Sequence, residues 1–116
     1  MIALKRAYDE PAKSDGCRVL VERLWPRGIA KAEARIDLWP KDVAPSTELR
    51  RWFDHDPDRW DEFRRRYRAE LRGRDEALDA IREKLRAGKV TFVFGSRETR
   101  YNNAVALKAI LEEEEK

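Results

Sequence analysis

Arginine and tryptophan are concentrated in one short stretch, Arg23-Leu24-Trp25-Pro26-Arg27-Gly28. Guanidinium groups pair bidentately with phosphates and carboxylates, and an indole offers a face on which a ligand or a cation can stack. If Arg23 and Arg27 converge, they can clamp an anion while Trp25 stacks on the same ligand. The alternative is structural: Trp25 belongs to the core and the two arginines pair with nearby carboxylates.

Gly95-Ser96-Arg97 is a second candidate for anion binding, because it stands between an apolar run and a helical pattern. Backbone N–H groups at a helix start, a hydroxyl and a guanidinium all favour negative charge. Asn102 and Asn103 either bond a ligand or satisfy the end of that helix. The spacing of residues in this segment matches neither the phosphate loop of nucleoside triphosphatases nor the dinucleotide-binding fingerprint, so we predict no cofactor.

His55 is the only histidine, so it is the candidate catalytic residue for any conventional proton transfer. It stands in Asp54-His55-Asp56-Pro57-Asp58, whose alternating carboxylates superficially suggest a calcium loop. Counted from Asp54, the sixth and twelfth positions hold Arg59 and Arg65, where an EF-hand needs glycine and glutamate. We therefore predict no metal site.

The densest run of positive charge is Arg64-Arg65-Arg66, followed by Arg68 and Arg72. Residues 48–72 contain eight cations and seven anions, and carboxylates three or four positions away neutralise arginines on a helix. A solvated, ion-paired face is the favoured interpretation. The alternative is a non-catalytic module that contacts RNA or a protein through the helix over 57–72.

Arginine supplies 18 of the 26 basic residues, against 23 acidic ones, so the net charge is only +3. That balance gives little support to nucleic-acid binding, and the arginine excess fits either anion recognition or bulk thermal adaptation. No stretch approaches the ~20 apolar residues that span a bilayer. Residues 1–6 carry charges where a signal peptide has its apolar run, so we expect a cytoplasmic protein.

The single cysteine, Cys17, permits neither an internal disulfide nor a multi-cysteine zinc site. The neighbouring Arg18 lowers the pKa of the thiol if both are exposed. A small buried thiol is the commoner case, and we favour it.

Strands and helices must bring these residues together. Apolar patterns predict strands over 2–8, 17–25 and 89–95, with a short extended piece at 36–39. Helical turns are expected over 30–34. A short helix is expected after the N-cap Ser46. Longer helices are expected over 57–72, from Asp75 to Gly88 and around 104–111. The run over 89–95 is almost entirely apolar, as in the middle of a sheet covered on both faces.

This order predicts one α/β domain over residues 1–116, with a small, mainly parallel sheet of about three to five strands flanked by helices. Ligands bind beyond the carboxyl ends of the strands in such sheets. The segments expected there are 25–28 and 95–103.

The stretch Arg18–Gly28 resembles the hallmark of the YeaO-like family, small bacterial and archaeal proteins of unknown function. Further matching stretches are Ala44–Phe53, His55–Pro57, Arg59-Trp60, Phe63–Tyr67, Glu70-Leu71 and Asn102–Leu107. The resemblance covers almost the whole chain and implies a single intracellular α/β domain without an agreed activity. A histidine commonly precedes the first asparagine of the family's last motif, where this chain has Tyr101.

The resemblance singles out several polar residues: Arg23, Arg27, Ser46, Arg50 and His55. The side-chain chemistry and the predicted strand ends, rather than the resemblance, lead us to expect a site, with or without catalysis, for an anionic small molecule such as a nucleotide or a phosphorylated metabolite. The residues expected to hold the ligand are Arg23, Trp25, Arg27 and Arg50. The opposite rim is expected to consist of Ser96, Arg97 and Asn102. Asp54 or Asp56 is expected to assist His55.

Overall fold

The computed structural model describes residues 2–114, which form three strands, five α-helices and short 3-10 turns. The strands are β1 (Ile2–Arg6), β2 (Cys17–Leu20) and β3 (Val90–Phe94). The helices are α1 (Lys31–Ala34), α2 (Thr47–Phe53), α3 (Trp60–Leu71), α4 (Asp75–Ala87) and α5 (Asn103–Glu114). The 3-10 turns are Lys13–Asp15, Lys41–Val43 and Pro57–Arg59.

The sheet is entirely parallel, in the order β1-β3-β2. Ile2 of β1 and Cys17 of β2 both lie opposite Val90 of β3. All five residues of β3 are buried, which confirms the central strand predicted over 89–95. An isolated bridge joins Val19 to Leu38 on the far side of β2, so the extended piece predicted at 36–39 contributes one pairing residue.

The second strand is shorter than predicted. The Val21 N–H still donates to the Val93 carbonyl at 3.2 Å, but Glu22–Leu24 form bends and the strand ends at Leu20 rather than near Trp25. Since β3 itself ends at Phe94, a longer β2 has no partner to pair with.

Local capping explains two of the helix starts. The Ser46 hydroxyl accepts a hydrogen bond from the Leu49 N–H at 3.1 Å and donates one to Glu70 at 2.6 Å, which confirms the predicted N-cap of α2. Asp56 accepts from the Asp58 N–H at 3.0 Å. The helix predicted over 57–72 therefore begins as the 3-10 turn Pro57–Arg59 and continues as α3.

The sheet separates two apolar clusters. The larger one packs α2, α3, α4 and α5 against one face and includes Phe63, Tyr67, Ile81, Phe92 and Leu107. On the other face, Ala7, Leu20 and Val93 are covered by residues of the segment 25–39. This arrangement confirms an α/β fold with a parallel sheet flanked by helices. Within residues 2–114, no helix is long and apolar enough to cross a membrane.

Candidate functional site

A cavity of about 450 Å³ lies at the carboxyl ends of the strands. Each strand contributes the residues just beyond its end: Tyr8 after β1, Glu22 after β2, and Gly95 and Ser96 after β3. The end of α2 forms the opposite wall with Arg50, Arg51, Phe53, Asp54 and His55. Leu24, Pro26, Phe63 and Asn103 complete the lining. The cavity therefore occupies the edge at which parallel α/β sheets bind ligands.

Glu22 is a half-buried carboxylate in this cavity. Burial raises its pKa above the ordinary range, and a hydrogen bond from the Gly95 N–H to Oε1 at 3.3 Å opposes the shift only in part. The charges of Arg50 and His55 act in the same opposing direction. Glu22 thus interacts electrostatically with Arg50 and His55, two of the three basic residues of the facing wall.

Arg50 and Arg51 are adjacent on the last turn of α2, where cations interact favourably with the helix dipole. Arg50 is half-buried and Arg51 is exposed. Across residues 2–114, neither guanidinium forms an ion pair with a carboxylate. Two cationic side chains therefore line the cavity without forming an ion pair to any described carboxylate, although Glu22 and Asp54 line the same space.

The backbone at the mouth of the cavity is strained. Asp54 and His55 are consecutive residues with positive φ, at 47° and 53°, a conformation that is unfavourable for residues other than glycine. The Nδ1 atom of His55 lies 2.8 Å from the Tyr101 carbonyl oxygen. Asp54 is the C-cap of α2, so this left-handed turn ends the helix and places His55 on the cavity wall.

The structure brings three of the predicted site residues together in the cavity: Arg50, His55 and Ser96. Ser96 uses its hydroxyl internally, since Oγ accepts from the Glu98 N–H at 2.9 Å and donates to the Glu98 carbonyl at 3.1 Å. Asp56, expected to assist His55, instead caps the turn before α3 and lies 3.7 Å from the Arg59 guanidinium.

The Arg23–Gly28 stretch does not line the cavity with its arginines or its tryptophan. A guanidinium nitrogen of Arg23 donates to the Ala44 carbonyl at 3.2 Å. The Trp25 indole N–H donates to the Ile29 carbonyl at 2.7 Å, and the ring packs edge-on against Trp39 in the smaller core. Arg27 is exposed. Leu24 and Pro26 are the residues of this stretch that reach the cavity.

Arg97 and Asn102 also lie outside the lining. Arg97 is exposed. Asn102 is fully buried, accepts from the Val105 N–H at 2.9 Å and donates to the Glu98 carbonyl at 2.7 Å. These bonds satisfy the start of α5, the structural alternative that the sequence left open for this asparagine.

Three residues of the lining, Glu22, Arg51 and Tyr8, were not selected from the sequence. The strand predicted over 17–25 placed Glu22 inside the strand, whereas β2 ends at Leu20, so no local signal marked this carboxylate as a site residue. Asn103 donates to the Val21 carbonyl at 2.8 Å, so it ties the start of α5 to the end of β2. An asparagine at a helix start does not reveal such a long-range bond.

Cys17 is half-buried on the first residue of β2. Burial and the Asp37 charge raise the pKa of its thiol, with Lys84 opposing them. The neighbouring Arg18 guanidinium is engaged with Asp15 at 2.6 Å. The thiol is therefore not activated for nucleophilic chemistry.

The arginines of α3 are largely paired. Arg64 contacts Asp61 at 2.6 Å, and Arg65 and Arg66 both contact Glu62. Arg68 reaches Glu113 of α5 at 2.6 Å. This surface matches the ion-paired face that the sequence favoured.

Fold and cavity together define a small parallel α/β domain with a mixed-charge cavity at the carboxyl edge of its sheet. Residues 1–116 match the family described as the inactive DUF488-N3 subclade. The chain is 42% identical over 110 residues to an uncharacterized protein of Mycobacterium tuberculosis, covering 95% of this chain and 92% of that protein. It is 38% identical over 106 residues to the uncharacterized protein YeaO of Escherichia coli, with 91% and 92% covered.

The chain therefore belongs to this YeaO-like family, which confirms the resemblance noted in its motifs. No solved structure matches the chain with significance.

Proposed function

We propose that the chain binds an anionic small molecule, a nucleotide or a phosphorylated metabolite, in the cavity at the carboxyl ends of its strands. The observation that carries the proposal is the pair Arg50 and Arg51, which line one cavity without an ion-pair partner among the described residues. A guanidinium in a partly enclosed site attracts a phosphate strongly, because the surrounding protein screens the charges less than water does.

The walls of the cavity favour an organic ligand over a bare ion. Apolar surface from Phe53, Phe63, Leu24 and Pro26 lines the same space as the two arginines. Ligand sites of this size typically combine apolar walls with a few polar groups that orient the ligand. The anion thus forms one end of the expected ligand, and a less polar portion occupies the rest.

Binding without turnover is the form of this function that we favour. The family is described as an inactive subclade. His55 is the one histidine of the chain, and its Nδ1 bonds the Tyr101 carbonyl rather than the carboxylate of Asp54 or Asp56 that was expected to assist it. Such a domain serves as a sensor or carrier of its ligand.

The proposal is tested by titrating the ¹⁵N-labelled protein with inorganic phosphate and with AMP, and by following backbone amide shifts at Gly95, Ser96 and His55. Arg50→Gln should weaken binding about tenfold or more, since it removes a charge-assisted hydrogen bond. The matched control is Arg72→Gln, which removes the same charge from an exposed site outside the cavity and should leave binding unchanged. Absence of binding at millimolar concentrations, or equal losses in the two variants, would overturn the proposal.

A further inference from the structure

We infer that Glu22 is a second recognition point in the cavity, and that the ligand carries neutral hydroxyl donors, such as a vicinal diol, next to its anionic group. This inference rests on the proposed function, since it takes Arg50 as the site of the anion. It narrows the ligand class to sugar phosphates and nucleotides.

The hydrogen-bonding capacity of Glu22 is only partly used. Oε1 accepts the Gly95 N–H at 3.3 Å, a long bond. Within the described part of the chain, Oε2 accepts no hydrogen bond and is not sealed from solvent. Oε2 of this half-buried carboxylate is therefore accessible from the cavity and can accept hydrogen bonds from donors that enter with a ligand.

Glu22 and Arg50 line the same cavity and interact electrostatically, yet they do not form an ion pair. Two oppositely charged side chains that line one cavity without contacting each other leave room for a molecule between them. That molecule satisfies both walls if it presents an anion to Arg50 and hydrogen-bond donors to Glu22. An inorganic phosphate satisfies only the first wall.

The donors facing Glu22 are expected to be neutral. Arg50, Arg51 and His55 line the same cavity, so their positive charges disfavour a further positive charge on the ligand. A metal ion is not favoured either, since residues 2–114 contain no cluster of three His, Cys, Asp or Glu side chains that could hold one. Hydroxyl groups bond a carboxylate without adding charge.

The position of Glu22 in the fold agrees with this chemistry. It stands just past the carboxyl end of β2. In dinucleotide-binding α/β sheets an acidic residue after an early strand bonds the ribose hydroxyls. Glu22 shares only its position with that acidic residue. What this chain itself shows is an Oε2 atom that accepts no hydrogen bond from the described residues.

The test compares the affinities of inorganic phosphate, ribose 5-phosphate and AMP for the full chain, its Glu22→Gln variant and the control Glu48→Gln. Glu48 is an exposed residue of α2 outside the cavity. Ribose 5-phosphate should bind wild type at least about tenfold more tightly than phosphate. Glu22→Gln should remove most of that preference while leaving phosphate affinity unchanged or higher, because a repelling charge is lost. Glu48→Gln should change neither affinity.

A ligand-side measurement keeps the test valid if Glu22→Gln folds poorly. On the wild-type protein, 2′,3′-dideoxy-AMP lacks the diol and should bind about tenfold more weakly than AMP. AMP that binds more tightly than ribose 5-phosphate identifies a nucleotide, and equal affinities identify a sugar phosphate; both results support the shared chemistry.

The inference is overturned if the dideoxy analogue binds as tightly as AMP, if Glu22→Gln keeps the preference, or if phenylalanine, a zwitterion, binds more tightly than ribose 5-phosphate. In those cases phosphate binding that depends on Arg50 still supports the proposed function. Loss of all binding to wild type would reject both.

Discussion

The Nδ1 atom of His55 and the carbonyl oxygen of Tyr101 are 2.8 Å apart. A carbonyl can only accept, so Nδ1 carries the proton of this bond, and Nε2 is the acceptor of the neutral ring. Tyr101 contributes its backbone here, while its ring packs edge-on against Trp60 at 5.5 Å. Tyr101 therefore shapes this wall through its backbone carbonyl, a group that every residue possesses.

The strained segment beside that bond gives a first prediction. Asp54→Gly should stabilise the fold by about 0.5–1 kcal/mol, because glycine adopts a positive φ without the steric penalty of a side chain. The same change should weaken phosphate binding, since it loosens the wall that carries Arg50 and His55. Urea unfolding and an NMR titration measure the two effects.

Arg35→Gly is the matched control, since Arg35 also has a positive φ of 49° and lies outside the cavity. It should gain similar stability and leave phosphate binding unchanged. A loss of stability in Asp54→Gly would show that the segment is not strained.

Features that depend on neighbouring residues could be predicted from the sequence. The all-apolar run of β3 identified the centre of the sheet, and Ser46 identified the start of α2 because its capping bond spans three residues. The carboxyl edge of the sheet followed from strand order and is where the cavity lies.

The identity of the residues at that edge depends on where β2 ends. The prediction extended this strand to Trp25, whereas it ends at Leu20, which makes Glu22 the residue beyond the end. The indole of Trp25 then packs into the smaller core, on the opposite face from α2. Strand ends depend on the partner strand, and β3 is distant in sequence, so local patterns do not determine them.

The raised pKa of Glu22 predicts how stability depends on pH. The folded state binds this proton more tightly than the unfolded state, so stability falls as pH rises from about 4.5, the ordinary value, through the raised folded value. Glu22→Gln cannot ionise and should lack this fall. The variant should therefore be more stable than wild type at pH 7, with the advantage disappearing below pH 4.5. Urea unfolding across pH 4–8 checks this, with Glu48→Gln as the control that keeps the wild-type profile.

A buried ion pair near the amino ends of the strands should contribute strongly to the free energy of unfolding. Asp15 is 6% exposed and Arg18 is 3% exposed, and they contact at 2.6 Å, with Lys5 at 3.1 Å from Asp15. Asp15→Asn leaves a buried guanidinium whose Nη2 already has no partner, and should destabilise the fold by about 3–5 kcal/mol. The exposed Asp9→Asn is the control, and a loss below about 1 kcal/mol in Asp15→Asn would contradict this assignment.

The same pair has a pH signature. Burial alone raises the pKa of Asp15, but hydrogen bonds from the Ala12 N–H, Lys5 and Arg18 outweigh it and hold the pKa below the ordinary 3.8. The stabilisation is therefore present above pH 3.8 and is lost as pH falls through the folded value. Acid unfolding of wild type should show this loss, and Asp15→Asn should not.

Charge reversal on α3 distinguishes ligand binding in the cavity from RNA binding by the arginine-rich surface of this helix. Because Arg64 and Arg65 are paired with Asp61 and Glu62, the double variant Arg64→Glu/Arg65→Glu should leave phosphate and AMP affinities at their wild-type values. Wild type and this variant should be retained equally weakly on immobilised RNA. Arginines that are already neutralised release few counterions when they meet RNA. Retention with a steep salt slope, lost in the double variant and kept in Arg50→Gln, would instead assign α3 an RNA-binding role.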